Sequence, residues 1–78
     1  MKAIVYSSLN CVYCGMVKNF LASHNIPFEE VDIDKDPTIV QKLLDHTGMM
    51  GIPQVEISGQ WIVGYQPNQF LKVWDLGK

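Results

Sequence analysis

Residues 10–15 read Asn10-Cys11-Val12-Tyr13-Cys14-Gly15, and they contain both cysteines of this 78-residue chain. Two cysteines at this spacing serve as half of a metal site, as a structural disulfide or as a redox pair. The elements on either side of the stretch decide among these three chemistries, because they determine which sulfur is exposed.

The stretch lies between a predicted strand and a predicted helix. The run 3–6 is short, apolar and partly β-branched, which is typical of a buried strand. Over residues 12–24 the period becomes helical, and Asn25 followed by Pro27 ends the helix. Cys11 therefore lies at the strand-to-helix junction. The apolar stripe of the helix consists of Cys14, Val17 and Leu21.

The rest of the chain predicts five further elements. A second strand covers 28–33, and Asp36-Pro37 begins a helix that Gly48 ends. Residues 54–63 predict a hairpin around Ser58-Gly59, and Pro67 begins a last helix with Phe70, Leu71 and Trp74 on one face. The order β-α-β-α-β-β-α predicts an α/β fold in which three helices flank a four-stranded mixed sheet. We expect a single domain spanning residues 1–78.

Composition excludes several functional classes. The net charge of −2 provides no basic face for phosphates, so we expect no nucleic-acid partner. No apolar stretch has the length of a membrane span or resembles a signal peptide. We therefore expect no membrane partner and a cytoplasmic location. We also expect a monomer.

The position of the two cysteines predicts different roles for them. Free N–H groups and the macrodipole at a helix N-terminus favour an anion, so Cys11 should hold a thiolate more readily than a free cysteine. Cys14 lies on the apolar stripe and should be more buried. An exposed nucleophile with a shielded neighbour suits thiol–disulfide exchange, in which the first sulfur attacks a disulfide and the second resolves the intermediate.

Two alternatives stay open for the pair. A structural zinc ion takes four ligands, whereas this chain has one cysteine pair and two histidines, His24 and His46, on different predicted helices. The chain could also be a binding module with idle cysteines. A permanent disulfide is not expected in a reducing cytoplasm, and so short a loop would gain little stability from it.

Gly51-Ile52-Pro53 forms a second candidate site. A proline directly before a strand can simply initiate that strand. Alternatively, a cis Ile52–Pro53 bond would expose backbone groups beside the cysteines, where an extended peptide or glutathione could pair with them. Because the cysteine pair is present, we predict the cis bond.

Together these residues resemble the glutaredoxin family. The resemblance rests on Cys11-Val12-Tyr13-Cys14, Ile52-Pro53 and Gly64-Tyr65-Gln66-Pro67. Within the family it is strongest to the small glutaredoxin-like and NrdH-type redoxins. It implies the thioredoxin fold, a nucleophilic Cys11, a resolving Cys14 and no tightly bound cofactor. It also implies substrate binding at Tyr13, Ile52, Pro53, Gly64 and Tyr65, and disulfide-bearing proteins as substrates.

The resemblance implies two possible electron donors, glutathione and a thioredoxin-reductase-type flavoenzyme. Ordinary glutaredoxins carry a lysine where this chain has Ser8, and a second glycine where it has Tyr65. Lys18, two turns into the helix, is not expected to replace that lysine. The NrdH-type pattern is also incomplete, since Gln66 and Asn68 replace its arginine and aspartate. On balance these differences favour the flavoenzyme.

Overall fold

The computed structural model describes residues 2–9, 11–49 and 51–76. It contains the seven predicted elements in the predicted order. The strands are β1 (Ala3–Ser7), β2 (Phe28–Asp32), β3 (Gln54–Ile57) and β4 (Gln60–Val63), and the helices are α1 (Val12–Ser23), α2 (Pro37–Thr47) and α3 (Pro67–Leu76).

The four strands form one mixed sheet in the order β2-β1-β3-β4. β1 is parallel to β2, as the connection through α1 requires, and antiparallel to β3. β4 pairs with β3 through the predicted hairpin. The predicted α/β class and mixed four-stranded sheet are thus confirmed.

One face of the sheet carries the main hydrophobic core. Alternate residues of β1, β3 and β4 point to this face, and α1 and α3 cover it. The predicted stripe of α1 is fully buried here. Of the predicted α3 face, Phe70 is fully buried, whereas Leu71 and Trp74 are half-buried at the margin. The core consists of Ala3, Val5, Val17, Leu21, Ile26, Val55, Ile57, Ile62 and Phe70.

Helix α2 covers the opposite face. Tyr6 alternates with the core residue beside it on β1, so its ring points away from the main core. The ring stacks on Trp61 of the edge strand β4, with 5.3 Å between ring centroids. His46 of α2 also stacks on Trp61, with 4.9 Å between ring centroids. This stack fixes α2 against the sheet.

The predicted turns contain residues with left-handed backbone angles. Asn25 follows α1 with φ 58°, and Gly48 caps α2 with φ 71°. The hairpin turn has φ 52° at Ser58 and 80° at Gly59. Positive φ at both central residues matches the right-handed twist of the paired strands. A glycine at the second position adopts this angle without a steric cost.

Two strand boundaries differ from the prediction by one residue. β1 continues to Ser7, which pairs with Asp32. β2 ends at Asp32 instead of Ile33, because the Asp32 carboxylate accepts the N–H of Asp34 and begins a turn. Among the described residues, no helix combines the length and apolarity needed to cross a bilayer.

Candidate redox site

The sheet register brings three separate segments to one end of the molecule. Tyr6, near the end of β1, pairs with Gln54 at the start of β3. Gln54 in turn pairs with Val63 at the end of β4. The segments that follow or precede these residues therefore begin at the same sheet end. They carry Cys11, Pro53 and Gly64.

The two cysteines form a disulfide with 5.2 Å between their Cα atoms. Cys11 is the N-cap residue of α1, with extended backbone angles, and its Sγ atom accepts the N–H of Cys14 at 3.1 Å. Cys11 is half-buried, whereas Cys14 is 1% exposed. The predicted difference in exposure between the two cysteines is confirmed. It follows from the position of Cys14 on the buried stripe of α1.

A cavity of about 300 Å³ lies against Cys11. It extends between the start of α1 and the ends of β1 and β2. Its lining includes Gly15, where an added Cβ would meet no atom within 4 Å. The cavity is lined by Ser7, Ser8, Leu9, Cys11, Gly15, Lys18, Glu30 and Asp32.

Charged groups on one side of this cavity form a small network. Lys18 lines the cavity although it lies two turns into the helix. Its ammonium group binds the Glu30 carboxylate, which also accepts the Ser7 hydroxyl at 3.1 Å. Asp32 adds a second carboxylate. The charges lining the cavity therefore sum to −1, and its ammonium group is already paired.

The Glu30 network should make folding stability depend on pH. The hydrogen bond from Lys18 lowers the pKa of Glu30 below its usual value of 4.5, and the Ser7 hydroxyl acts in the same direction. A carboxyl whose pKa is lower in the folded state contributes stability above its unfolded pKa and loses it as pH falls through the folded value. The contribution should stay below about 1 kcal/mol, because the pair is partly exposed.

We therefore expect Glu30→Gln to destabilise the protein at pH 7 and to have little effect near pH 3. The free energy of unfolding, measured in urea at both pH values for the variant and the unchanged chain, tests this. A difference of equal size at both pH values would contradict the role of the carboxylate.

The predicted substrate-binding residues differ from one another in exposure and in contacts. The Ile52–Pro53 bond is cis, as predicted. The carbonyl of Pro53 accepts the N–H of Gly64 at 2.8 Å, so these two segments are in contact. Tyr13, in the first turn of α1, is 60% exposed. Tyr65 is half-buried, and its ring packs edge-on against Phe20, away from the cavity beside Cys11.

Two polar residues that the sequence analysis passed over lie on either side of the loop between α2 and β3: Thr47 ends α2 and Gln54 begins β3. Gln54 is completely buried, and its side-chain amide bonds to Thr47 and to two loop carbonyls. One signal could have drawn attention to it: a polar residue at the start of a strand whose two faces are both covered needs side-chain partners. Within the described part of the chain, no three His, Cys, Asp or Glu side chains lie together as a metal site would require.

A comparison with known families agrees with this geometry. The family model described as Glutaredoxin matches residues 3–62. The chain belongs to the glutaredoxin family. It is a glutaredoxin-type thiol–disulfide oxidoreductase with a paired Cys11 and Cys14.

Individual relatives cover most of the glutaredoxin domain. The glutaredoxin-like protein NrdH of Lactococcus lactis is 35% identical over 88% of this chain and 94% of its own length. Glutaredoxin 3 of Escherichia coli is 30% identical over 77% of this chain and 72% of its own. The crystal structure of the thioredoxin-like protein BC3987 superposes with a TM-score of 0.83 at 32% identity, covering 92% of this chain and 99% of that one. The thioredoxin fold is thereby confirmed.

Proposed function

We propose that this glutaredoxin carries electrons from a donor to disulfides in proteins through its Cys11-Val12-Tyr13-Cys14 centre. One observation carries the proposal: Cys11 is the half-exposed N-cap of α1, and the N–H of Cys14 points at its sulfur. A helix N-terminus stabilises a negative charge at this position, which favours the thiolate that exchange needs.

The proposed exchange transfers two electrons in two steps. The Cys11 thiolate attacks one sulfur of the substrate disulfide, that S–S bond breaks, and the other substrate sulfur leaves as a thiolate and takes up a proton. The Cys14 thiol then loses its proton and attacks the Cys11 sulfur. This step releases the second substrate sulfur as a thiol and leaves the Cys11–Cys14 disulfide, the oxidised form present in the structure.

The segment around Pro53 is our proposed binding site for an extended substrate. Ile52 is half-buried, and within the described residues its main chain makes no hydrogen bond. A substrate segment could therefore pair with it in the manner of an added strand. The hydrogen bond between Pro53 and Gly64 would hold this segment in place. The exposed Tyr13 would contact the partner protein.

We propose a thioredoxin-reductase-type flavoenzyme as the electron donor, in preference to glutathione. Glutathione carries two carboxylates, which need a cation or free N–H groups at the site. The cavity beside Cys11 instead holds two carboxylates, and its Lys18 ammonium is paired with Glu30. This distribution of charge disfavours an anionic substrate and leaves a protein donor favoured.

Tyr65 supports the same choice because it stands where ordinary glutaredoxins have a second glycine. Its ring packs between α1 and α3, where ring centroids lie 6.3 Å from Phe20 and 6.4 Å from Phe70. A second glycine at this position would let a small ligand approach the backbone closely. Glutathione is the second candidate donor, because glutaredoxin 3 of Escherichia coli is among the relatives and α3 begins close to Gly64.

Parallel assays of NADPH oxidation would decide between the donors. One assay contains glutathione with glutathione reductase, and the other contains thioredoxin reductase alone, each with the same peptide disulfide as final acceptor. We expect faster turnover with thioredoxin reductase. Fast turnover with glutathione and none with thioredoxin reductase would overturn the donor proposal, and no turnover in either assay would favour a binding module with idle cysteines.

Two variants test whether the charges of the cavity determine the glutathione-dependent rate. In Glu30→Gln the Lys18 ammonium loses its partner charge, so the glutathione-dependent rate should rise about two- to fivefold at low salt. Glu29→Gln is the matched control, because Glu29 pairs with Lys2 at 2.8 Å and does not line the cavity. Equal increases in both variants would show an effect of net charge alone and would contradict the role of the cavity.

A further inference from the structure

A buried polar cluster holds the loop between α2 and β3. Gln54, the first residue of β3, has no exposed surface. Its Nε2 atom donates to the carbonyl oxygens of Met49 and Gly51, both at 2.9 Å. With both donors directed at carbonyls, Oε1 faces the Thr47 hydroxyl at 3.0 Å. The amide is therefore held on both sides, and its orientation follows from its partners.

Thr47 connects the same loop to the end of α2. Its hydroxyl oxygen lies 2.9 Å from the carbonyl of Leu43, and it accepts the N–H of Met49 at 3.2 Å. The Met49 carbonyl lies 3.3 Å from the same hydroxyl. Because a hydroxyl has one proton, it donates at any moment to one of three acceptors, the carbonyl of Leu43, the carbonyl of Met49 or Oε1 of Gln54, and it accepts from the N–H of Met49. The two side chains thus bind two loop carbonyls and one loop N–H that neither a helix nor a strand satisfies.

Hydrogen bonds hold the main chain on both sides of Ile52. The carbonyl of Gly51, directly before it, is held by the Gln54 amide. On the other side, the Pro53 carbonyl accepts the N–H of Gly64. The main chain of Ile52 is thereby placed from both directions while its own groups make no hydrogen bond within the described residues.

We propose that Gln54 and Thr47 are positioning residues for substrate recognition, which set the Ile52 main chain for pairing with an extended peptide. This inference rests on the proposed function, in which Ile52 binds the segment next to the substrate disulfide. If the Ile52 main chain is displaced, its hydrogen bonds to the peptide become longer and less well aligned. Peptide binding is then weaker, and the sulfurs are less well aligned for attack. Attack on a small disulfide without peptide groups does not use this pairing.

The test compares two substrates in Gln54→Leu, Thr47→Val and Thr47→Ser. One substrate is an extended peptide with an intramolecular disulfide, and the other is bis(2-hydroxyethyl) disulfide, which has no peptide groups. For Gln54→Leu and Thr47→Val we expect kcat/KM to fall about tenfold with the peptide and to change less than about twofold with the small disulfide. Thr47→Ser keeps the hydroxyl and should retain the peptide rate.

Rates are normalised to the folded fraction, and the exposed, helical Gln41→Leu serves as the control for a glutamine-to-leucine exchange. If Gln54→Leu does not fold, Thr47→Val carries the same comparison. Equal losses with both substrates, or no loss with either, would overturn the positioning role. Failure of the unchanged chain to reduce either substrate would instead overturn the proposed function.

Discussion

Cys11→Ser is expected to lower the rate of protein disulfide reduction about a thousandfold or more, because it removes the attacking thiolate. Cys14 cannot take over the role of the nucleophile. It is 1% exposed, and its sulfur lies on the buried stripe of α1. The initial rate of reduction of a peptide disulfide by the pre-reduced protein measures this effect.

Cys14→Ser is expected to stop at a different step. Its Cys11 should still attack the substrate, but nothing resolves the intermediate, so the mixed disulfide should accumulate. Mass spectrometry of the quenched reaction would detect the substrate bound to Cys11, and the double variant Cys11→Ser/Cys14→Ser provides the control. Turnover of Cys14→Ser at the unchanged rate without added thiol would contradict the dithiol mechanism. Trapping at Cys14 in Cys11→Ser would reverse the roles.

Phe70→Ala is expected to have the largest effect on stability, about 3–5 kcal/mol, since it empties the centre of the core. Phe70 is fully buried in α3, and its ring lies 5.9 Å from that of Phe20 on α1. It therefore joins the helix that presents the cysteines to the last helix of the chain. A domain of this size has a total stability of about 4–12 kcal/mol, so the loss removes at least about a quarter of it.

Chemical denaturation of the variant and of Leu76→Ala measures this difference. Leu76 lies on the same helix but is 77% exposed, so its truncation should cost less than about 0.5 kcal/mol. The conservative Phe70→Leu should fall between the two. A cost below about 1 kcal/mol for Phe70→Ala would show that α1 and the sheet hold the core without α3.

Local patterns in the sequence were sufficient to predict the architecture. Element type follows from the spacing of apolar residues, and several boundaries follow from single residues such as Asp36, Gly48 and Gly59. The roles proposed for Cys11 and Cys14 also follow from their positions at a helix start, which depend only on nearby residues. The one-residue error at the end of β2 arises because Asp32 begins a turn through its own side chain.

The surroundings of the cysteines depended on contacts between residues far apart in the chain. The sequence alone places Lys18 two turns from the helix start, yet the packing of α1 against β2 brings its ammonium to Glu30 beside Cys11. The bonds of Gln54 likewise require that the end of α2 meet the start of β3. The residues near in sequence thus determined the fold and the reactive pair. Only the tertiary structure decided the charge of the cavity and the support of the binding loop, because both depend on distances between separate elements.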